Sequence, residues 1–257
     1  MKGDPIIELR DVTVPSRRDA DVATIEGVNW TVREDEFWIV GGLQGSGKSD
    51  LMFMLAGLTK PKSGAYRLFE QDMTQRFGDE FLPCRLRVGM VFDDARLLNH
   101  LTIAENVALP ACYHNDLHPE EVEGWLTALL KATDIMEFAD STQSVLGRQW
   151  RRRAALSRAL ALRPEVLLLE NPLRGLDARH TAWWTGFIKE LWRGHDLMRG
   201  EAMTIIVSTD EFRPWRDAGA QFATLHQKAF ETIGETAPED DTRMRHVAAS
   251  VSAEETN

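Results

Sequence analysis

The sequence predicts an α/β protein built on a mostly parallel sheet. Three observations carry that expectation. Short, continuously apolar runs recur, such as Phe37-Trp38-Ile39-Val40 and Val166–Leu169; segments with helical apolar spacing lie between them; and a glycine-rich turn joins the first run to a helical segment. Runs of this length suit strands buried on both faces of a parallel sheet, and their alternation with helices is the βαβ rhythm.

The elements follow in order. Ile6–Val14 and Val28–Val32 are β-type runs between turns, and Phe37–Val40 leads into Gly41-Gly42. A helix is expected from Lys48 to Leu58, ended by Gly57 and Pro61, with strands over Ala65–Phe69 and Val88–Phe92. Residues 119–140 are expected to be helical. Pro119, Glu120 and Glu121 suit a first turn, and Val122, Trp125, Leu126, Leu129 and Leu130 form one apolar stripe. A further helix runs from Arg151 to Leu162 and stops before Pro164, followed by strands at Val166–Leu169 and Thr204–Ser208. Residues 236–257 are polar, acidic and aperiodic, which predicts a disordered tail. With no internal repeat, residues 1–235 are expected to form one domain.

Composition narrows the function classes. With 43% hydrophobic and 27% charged residues, a chain of 257 residues can bury a sizeable core. The longest apolar run, Leu51–Leu58, is far short of a membrane span, and the start lacks the apolar core of a signal peptide, so a cytosolic protein is expected. The net charge of −10 argues against a nucleic-acid binder, which needs a clustered basic face. Cys84 and Cys112 have no metal-ligand spacing and are expected to be reduced, structural thiols. Of the eight tryptophans, Trp30, Trp38, Trp125, Trp183, Trp184 and Trp192 lie in apolar-periodic segments and are expected in the core.

The segment Gly42-Leu43-Gln44-Gly45-Ser46-Gly47-Lys48-Ser49 fits the pattern GxxxxGK[ST] between an expected strand and an expected helix. Glycines let successive backbone N–H groups turn inward onto phosphate oxygens, and the following helix N-terminus adds its dipole. Lys48 is placed to reach the β- and γ-phosphates and the Ser49 hydroxyl to bind Mg²⁺, with Asp50 closing the candidate nucleotide-binding set. ATP with Mg²⁺ is the cofactor this pattern implies.

The stretch Arg151–Asp177, RRRAALSRALALRPEVLLLENPLRGLD, resembles the helix, Walker B strand and D-loop of ATP-binding-cassette (ABC) ATPases, and Val88–Pro110 is similar to their Q-loop and the start of their helical insert. The resemblance covers about residues 6–235. It implies a P-loop cassette with a mostly parallel core sheet, an N-terminal antiparallel β subdomain and a helical insert over about residues 94–150.

Set against that family, four motifs depart from its pattern. Asp93 stands where the Q-loop Gln helps bind Mg²⁺ and water, and could still touch the metal. The signature is replaced by Leu146-Gly147-Arg148-Gln149-Trp150, whose larger side chains fill space that small residues leave open; either Arg148 supplies a charge to phosphate or this is a basic helix start that contacts a partner. Glu170 takes the place of the Mg²⁺-associated Asp and Asn171 that of the catalytic Glu; an amide cannot deprotonate water. Asp210 occupies the switch position, where an anion would repel the γ-phosphate. Two outcomes follow: ATP is bound but turned over slowly, or Glu170, Asp210 or Glu211 acts as a relocated base. Val14-Pro15-Ser16 lacks the expected adenine-stacking tyrosine.

The resemblance implies the nucleotide-binding subunit of a transport system, peripheral on the inner face of the membrane. It would pair with a second ABC subunit, identical or not, and with a separate integral-membrane permease that docks on the insert. Glu105–Pro110 and Arg152–Leu156 are most similar to phospholipid transporters of the MCE type, which makes lipid transport the expected activity. The alternative is a soluble, non-transport ABC protein acting as an ATP-dependent switch or scaffold.

Overall fold

The computed structural model describes residues 3–74 and 79–237. In chain order the described residues form β1 Pro5–Pro15, β2 Ala23–Arg33, β3 Phe37–Gly42, α1 Lys48–Leu55, β4 Ser63–Leu68, β5 Gln71–Asp72, α2 Leu82–Leu86 and β6 Val88–Val91. They continue with α3 Ile103–Asn115, α4 Pro119–Ala132, α5 Arg148–Leu160, β7 Val166–Glu170, α6 Ala178–Arg193, β8 Thr204–Thr209, β9 Gln221–His226 and β10 Ala229–Gly234. The chain divides into two compact units, Met1–Arg85 with Thr204–Asn257, and Leu86–Met203. The expected insert, about 94–150, lies inside the second unit, which also holds β6, β7 and α6.

The first unit has two sheets. One is antiparallel, in the order β2-β1-β4-β5. On β2, buried Ile25, Val28, Trp30 and Val32 give way on the other face to exposed Glu26, Asn29 and Thr31, the period-2 pattern of a sheet wet on one side. In the other sheet β3 pairs in parallel with β8 on one edge and β9 on the other, and β10 runs antiparallel to β9. All six residues of β3 and all six of β8 are buried, including the hydroxyl residues Thr204, Ser208 and Thr209 of β8. Trp30 of β2 meets Trp38 of β3 edge-on at 5.2 Å and Phe230 of β10 at 4.9 Å, which ties the sheets together.

In the second unit β6 and β7 are parallel, in register from Val88 opposite Val166 to Val91 opposite Leu169. Around α3 and α4, Ala108, Ala111 and Val122 form a small core with Cys112, Leu117 and Leu126 packed on it.

Several boundaries differ from the sequence expectation for identifiable reasons. The first helix ends at Leu55, because Ala56 caps it and Gly57 takes φ 66°. The helix from Pro119 stops at Ala132, where Asp134 enters the left-handed region at φ 57° and a short 3₁₀ turn, Met136–Phe138, follows. The third begins at Arg148, one residue after its cap Gly147. α3 was hidden by Pro110 in its interior, although a capping box announces it: Thr102 accepts from the Glu105 N–H and Glu105 from the Thr102 N–H. Trp30, Trp38 and Trp184 are buried, whereas Trp125, Trp183 and Trp192 are only half-buried. Both cysteines are free thiols. The expected tail lies outside the described residues beyond Ala237.

Candidate nucleotide site

In the first unit the turn between β3 and α1 is shaped by its glycines. Gly45 and Gly47 lie at φ 87° and 93°, a region that costs any residue with a Cβ. A Cβ on Gly47 would come within 2.9 Å of the Ile25 side chain, and one on Gly42 within 2.5 Å of Ser46 Oγ. Ser46 N donates to the Leu43 carbonyl at 3.1 Å and closes the turn. Gly47 caps α1 without a side chain, so no side-chain acceptor covers the helix's first N–H groups from that position.

Lys48 is buried at the start of α1. Its ammonium donates to the carbonyls of Gly42 and, at 2.7 Å, Leu43, and pairs with Asp210 Oδ1 at 3.0 Å. Asp210, just beyond β8, therefore meets Lys48 directly. The Thr209 hydroxyl before it is engaged with the Glu211 backbone, accepting from its N–H at 3.2 Å and donating to its carbonyl at 2.8 Å. Asp50 serves a different end: its Oδ1 accepts from the backbone N–H (3.1 Å) and Nε (3.0 Å) of Arg17, whose guanidinium lies 4.2 Å over the Phe53 ring. The loop after β1 is thereby fastened to α1.

A magnesium-nucleotide fits this turn. The Ser46 hydroxyl is buried with no partner among the described residues, the glycine cradle leaves its backbone unobstructed by side chains, and its principal side-chain donor is a cation. Ser49, second in α1, offers a hard oxygen ligand. No group of three or more His, Cys, Asp or Glu that could hold a metal ion occurs among the described residues.

The second unit carries the remaining candidates. Glu170 ends β7 and is buried, as is Asn171, which sits at φ 43°. Asparagine tolerates that left-handed conformation better than most residues. Asp93, the expected metal contact, has Oδ1 against Arg152 Nη2 and Oδ2 3.2 Å from Arg174 Nη1. Burial pushes the Arg152 guanidinium down from its ordinary value, and the Asp93 carboxylate acts against that shift.

At the signature position, Gly147 caps α5, Arg148 is exposed, and Gln149 and Trp150 are half-buried. The Trp150 ring packs on Phe138 at 5.4 Å and His180 at 5.2 Å, with the Arg153 guanidinium 4.7 Å from its centroid. Trp150 is thus consumed by packing inside its own unit, while Arg148 stays on the surface. Sequence reasoning missed Arg17, Arg152 and Arg174. The signal for Arg152 was available: it lies four and eight residues before Leu156 and Leu160, on the buried stripe of α5.

The family model described as ABC transporter matches residues 25–174. A spermidine/putrescine import ATP-binding protein of Pseudomonas aeruginosa is 34% identical over 175 residues, 68% of this chain and 46% of that protein. The chain thus spans about half the length of the first curated relatives it matches. A probable sulfate/thiosulfate import ATP-binding protein of Chlorella vulgaris is 35% identical over 68% of this chain and 72% of its own length. A methionine import ATP-binding protein of Lactobacillus delbrueckii is 32% identical over 80% of this chain and 59% of its own. Among solved structures, an ATP-binding cassette dimer in a post-hydrolysis state, bound to ADP and Pi, superposes with a TM-score of 0.79 at 25% identity, covering 90% of this chain and all of that one.

Proposed function

The chain belongs to the ABC transporter family, an α/β cassette by fold, and from that premise we propose that it is the ATP-binding subunit of an import system, binding Mg²⁺-ATP at Gly42–Ser49. The observation that carries this reading is the turn itself: two left-handed glycines, an orphaned Ser46 hydroxyl and a buried Lys48 converge on space that an anion suits. Bound magnesium would supply charge neutralisation to the phosphates, with Ser49 as a protein ligand. Lys48 would exchange Asp210 for phosphate oxygens, keeping its charge compensated throughout.

Turnover is proposed to be slow. Asn171 holds the position of the family's base, and its amide orients water without removing a proton. Nucleotide would then act chiefly by favouring one state of a dimer through differential affinity, as an ordinary ligand does. A dimeric arrangement is supported by the structural neighbour solved as a dimer.

A separate permease is part of this reading, because the relatives are named as the ATP-binding proteins of import systems; no described helix is long and apolar enough to cross a membrane. A position on the inner face of the membrane follows from that pairing. The relatives are named as importers of spermidine and putrescine, sulfate or thiosulfate, and methionine, so a small polar solute is favoured over the lipid that the short MCE-like stretches suggest. Affinity purification of the full chain from solubilised membranes tests the assignment. Co-purification of one multi-span protein, retained with Mg²⁺-ATP, is expected; recovery of the chain alone from every membrane fraction would contradict it.

A further inference from the structure

One ion-pair network in the second unit has a chemistry that the nucleotide reading does not use. Arg152 projects from α5 and is only 1% exposed at its side chain. Four of its five N–H groups are placed: Nε on the Asp93 carbonyl (3.1 Å), Nη2 on Asp93 Oδ1, and Nη1 on the carbonyls of Arg174 (2.6 Å) and Pro172 (3.3 Å). Arg174 returns to the same carboxylate, Nη1 to Asp93 Oδ2 at 3.2 Å. One guanidinium thus grips two loops at once, the loop after β6 through Asp93 and the loop after β7 through Pro172 and Arg174.

We propose that Asp93 is a positioning residue and not a metal ligand: with Arg152 and Arg174 it latches the loop after β6 to the loop that carries Asn171. The physical grounds are charge and geometry. A buried guanidinium needs a counter-charge as well as hydrogen-bond acceptors, and Asp93 is the carboxylate that touches it. Each Asp93 oxygen already meets a guanidinium, so the two positive groups spend the negative charge that a divalent cation would need. The planar fork of Arg152 also imposes direction, since its edges face Asp93 on one side and the Pro172–Arg174 turn on the other. That turn is set by the Arg174 N–H donating to the Asn171 carbonyl at 3.1 Å, so holding the Arg174 carbonyl holds the backbone at Asn171.

The test uses the full chain with Asp93→Asn, Arg174→Ala and both together. It reads amide hydrogen exchange by segment and the Mg²⁺ dependence of trinitrophenyl-ATP binding. The latch predicts that either change speeds exchange about tenfold in both 93–97 and 171–176 while β9 is unaffected, and that the double variant adds little to the stronger single one. The Mg²⁺ concentration for half-maximal binding is expected to stay within about twofold, whereas losing a direct carboxylate ligand would raise it roughly tenfold or more. A tenfold rise in Asp93→Asn with unchanged exchange at 171–176 would overturn the proposal, as would independent responses of the two loops. Should Asp93→Asn fail to fold, Arg152→Lys replaces it: a lysine keeps a positive charge beside Asp93 but lacks the fork that holds both loops, so the same coupled rise in exchange at 93–97 and 171–176 is expected, and unchanged exchange there would overturn the proposal. The exchange readout needs no nucleotide, so absence of binding by the unaltered protein would sink the nucleotide assignment without touching this one.

Discussion

The turn between β3 and α1 and the turn after β7 present opposite chemistry. The first is lined by glycines and a lysine, its backbone is kept bare by residues without side chains, and Ser46 is left unpartnered. The second is filled: Trp150 stacks among Phe138, His180 and Arg153, Asp93 is clasped by two arginines, and Asn171 stands where a carboxylate is expected. Under the proposed function, the contrast makes binding phosphate and consuming it separable demands. Binding needs backbone donors and one cation held by local glycine geometry, whereas turnover needs an acid–base group at one atom's position.

The largest effect that would sharpen this contrast is a gain. Asn171→Glu restores a carboxylate and is expected to raise ATP hydrolysis by roughly 10²-fold, the low end for a general base, because glutamate fits φ 43° less well than asparagine. A steady-state phosphate-release assay reads it; no change would place the base elsewhere, at Glu170, Asp210 or Glu211. Lys48→Ala is expected to weaken Mg²⁺-ATP binding by about 100-fold, the loss of charge-assisted hydrogen bonds, as measured by calorimetry. Gly47→Ala combines a left-handed φ with a 2.9 Å contact on Ile25, and should cost about 1–3 kcal/mol in denaturant unfolding as well as impairing binding.

Smaller changes probe the rest. Asp210→Asn removes the anion beside Lys48; Asp210 is partly exposed, so nucleotide affinity should tighten by only about threefold, and a loss of affinity would show that Asp210 assists binding. Thr102→Ala removes the α3 cap and should cost about 1 kcal/mol. The cap also carries a pH signature. Hydrogen bonds from the Thr102 backbone and side chain hold the Glu105 carboxylate below its usual range. Its contribution is therefore present above its unfolded value of about 4.3 and is lost as pH falls through the lower folded value. Acid unfolding of Thr102→Ala should keep the larger part, which the backbone N–H of residue 102 supplies, and lose only the part due to the hydroxyl.

Local chemistry was legible in the sequence wherever a short pattern carries it. Gly42–Ser49 announced a turn with left-handed glycines because its glycine requirement is written in adjacent residues, and Phe37–Val40 and Val166–Leu169 announced buried strands by unbroken apolarity, with Ile205–Val207 doing so between hydroxyl residues. Pro110 obscured α3, and the half-exposed β10, with its mixed pattern, gave no comparable signal. Partnerships between distant residues were out of reach. Asp93 and Arg152 are 59 positions apart, and nothing in the chemistry of an isolated aspartate tells a metal ligand from an arginine's counter-charge. Likewise Asp210 suggested repulsion of phosphate, whereas the fold places it on Lys48, where its charge is compensated.

The separation of binding from turnover is tested most directly by measuring Mg²⁺-ATP affinity and steady-state hydrolysis on one preparation of the unaltered chain, with Lys48→Ala alongside. The expected result is saturable binding that the substitution weakens about 100-fold, with hydrolysis about 10²-fold or more below that of an ABC ATPase with a catalytic carboxylate. Hydrolysis at an ordinary transporter's rate, lost in Lys48→Ala, would contradict it.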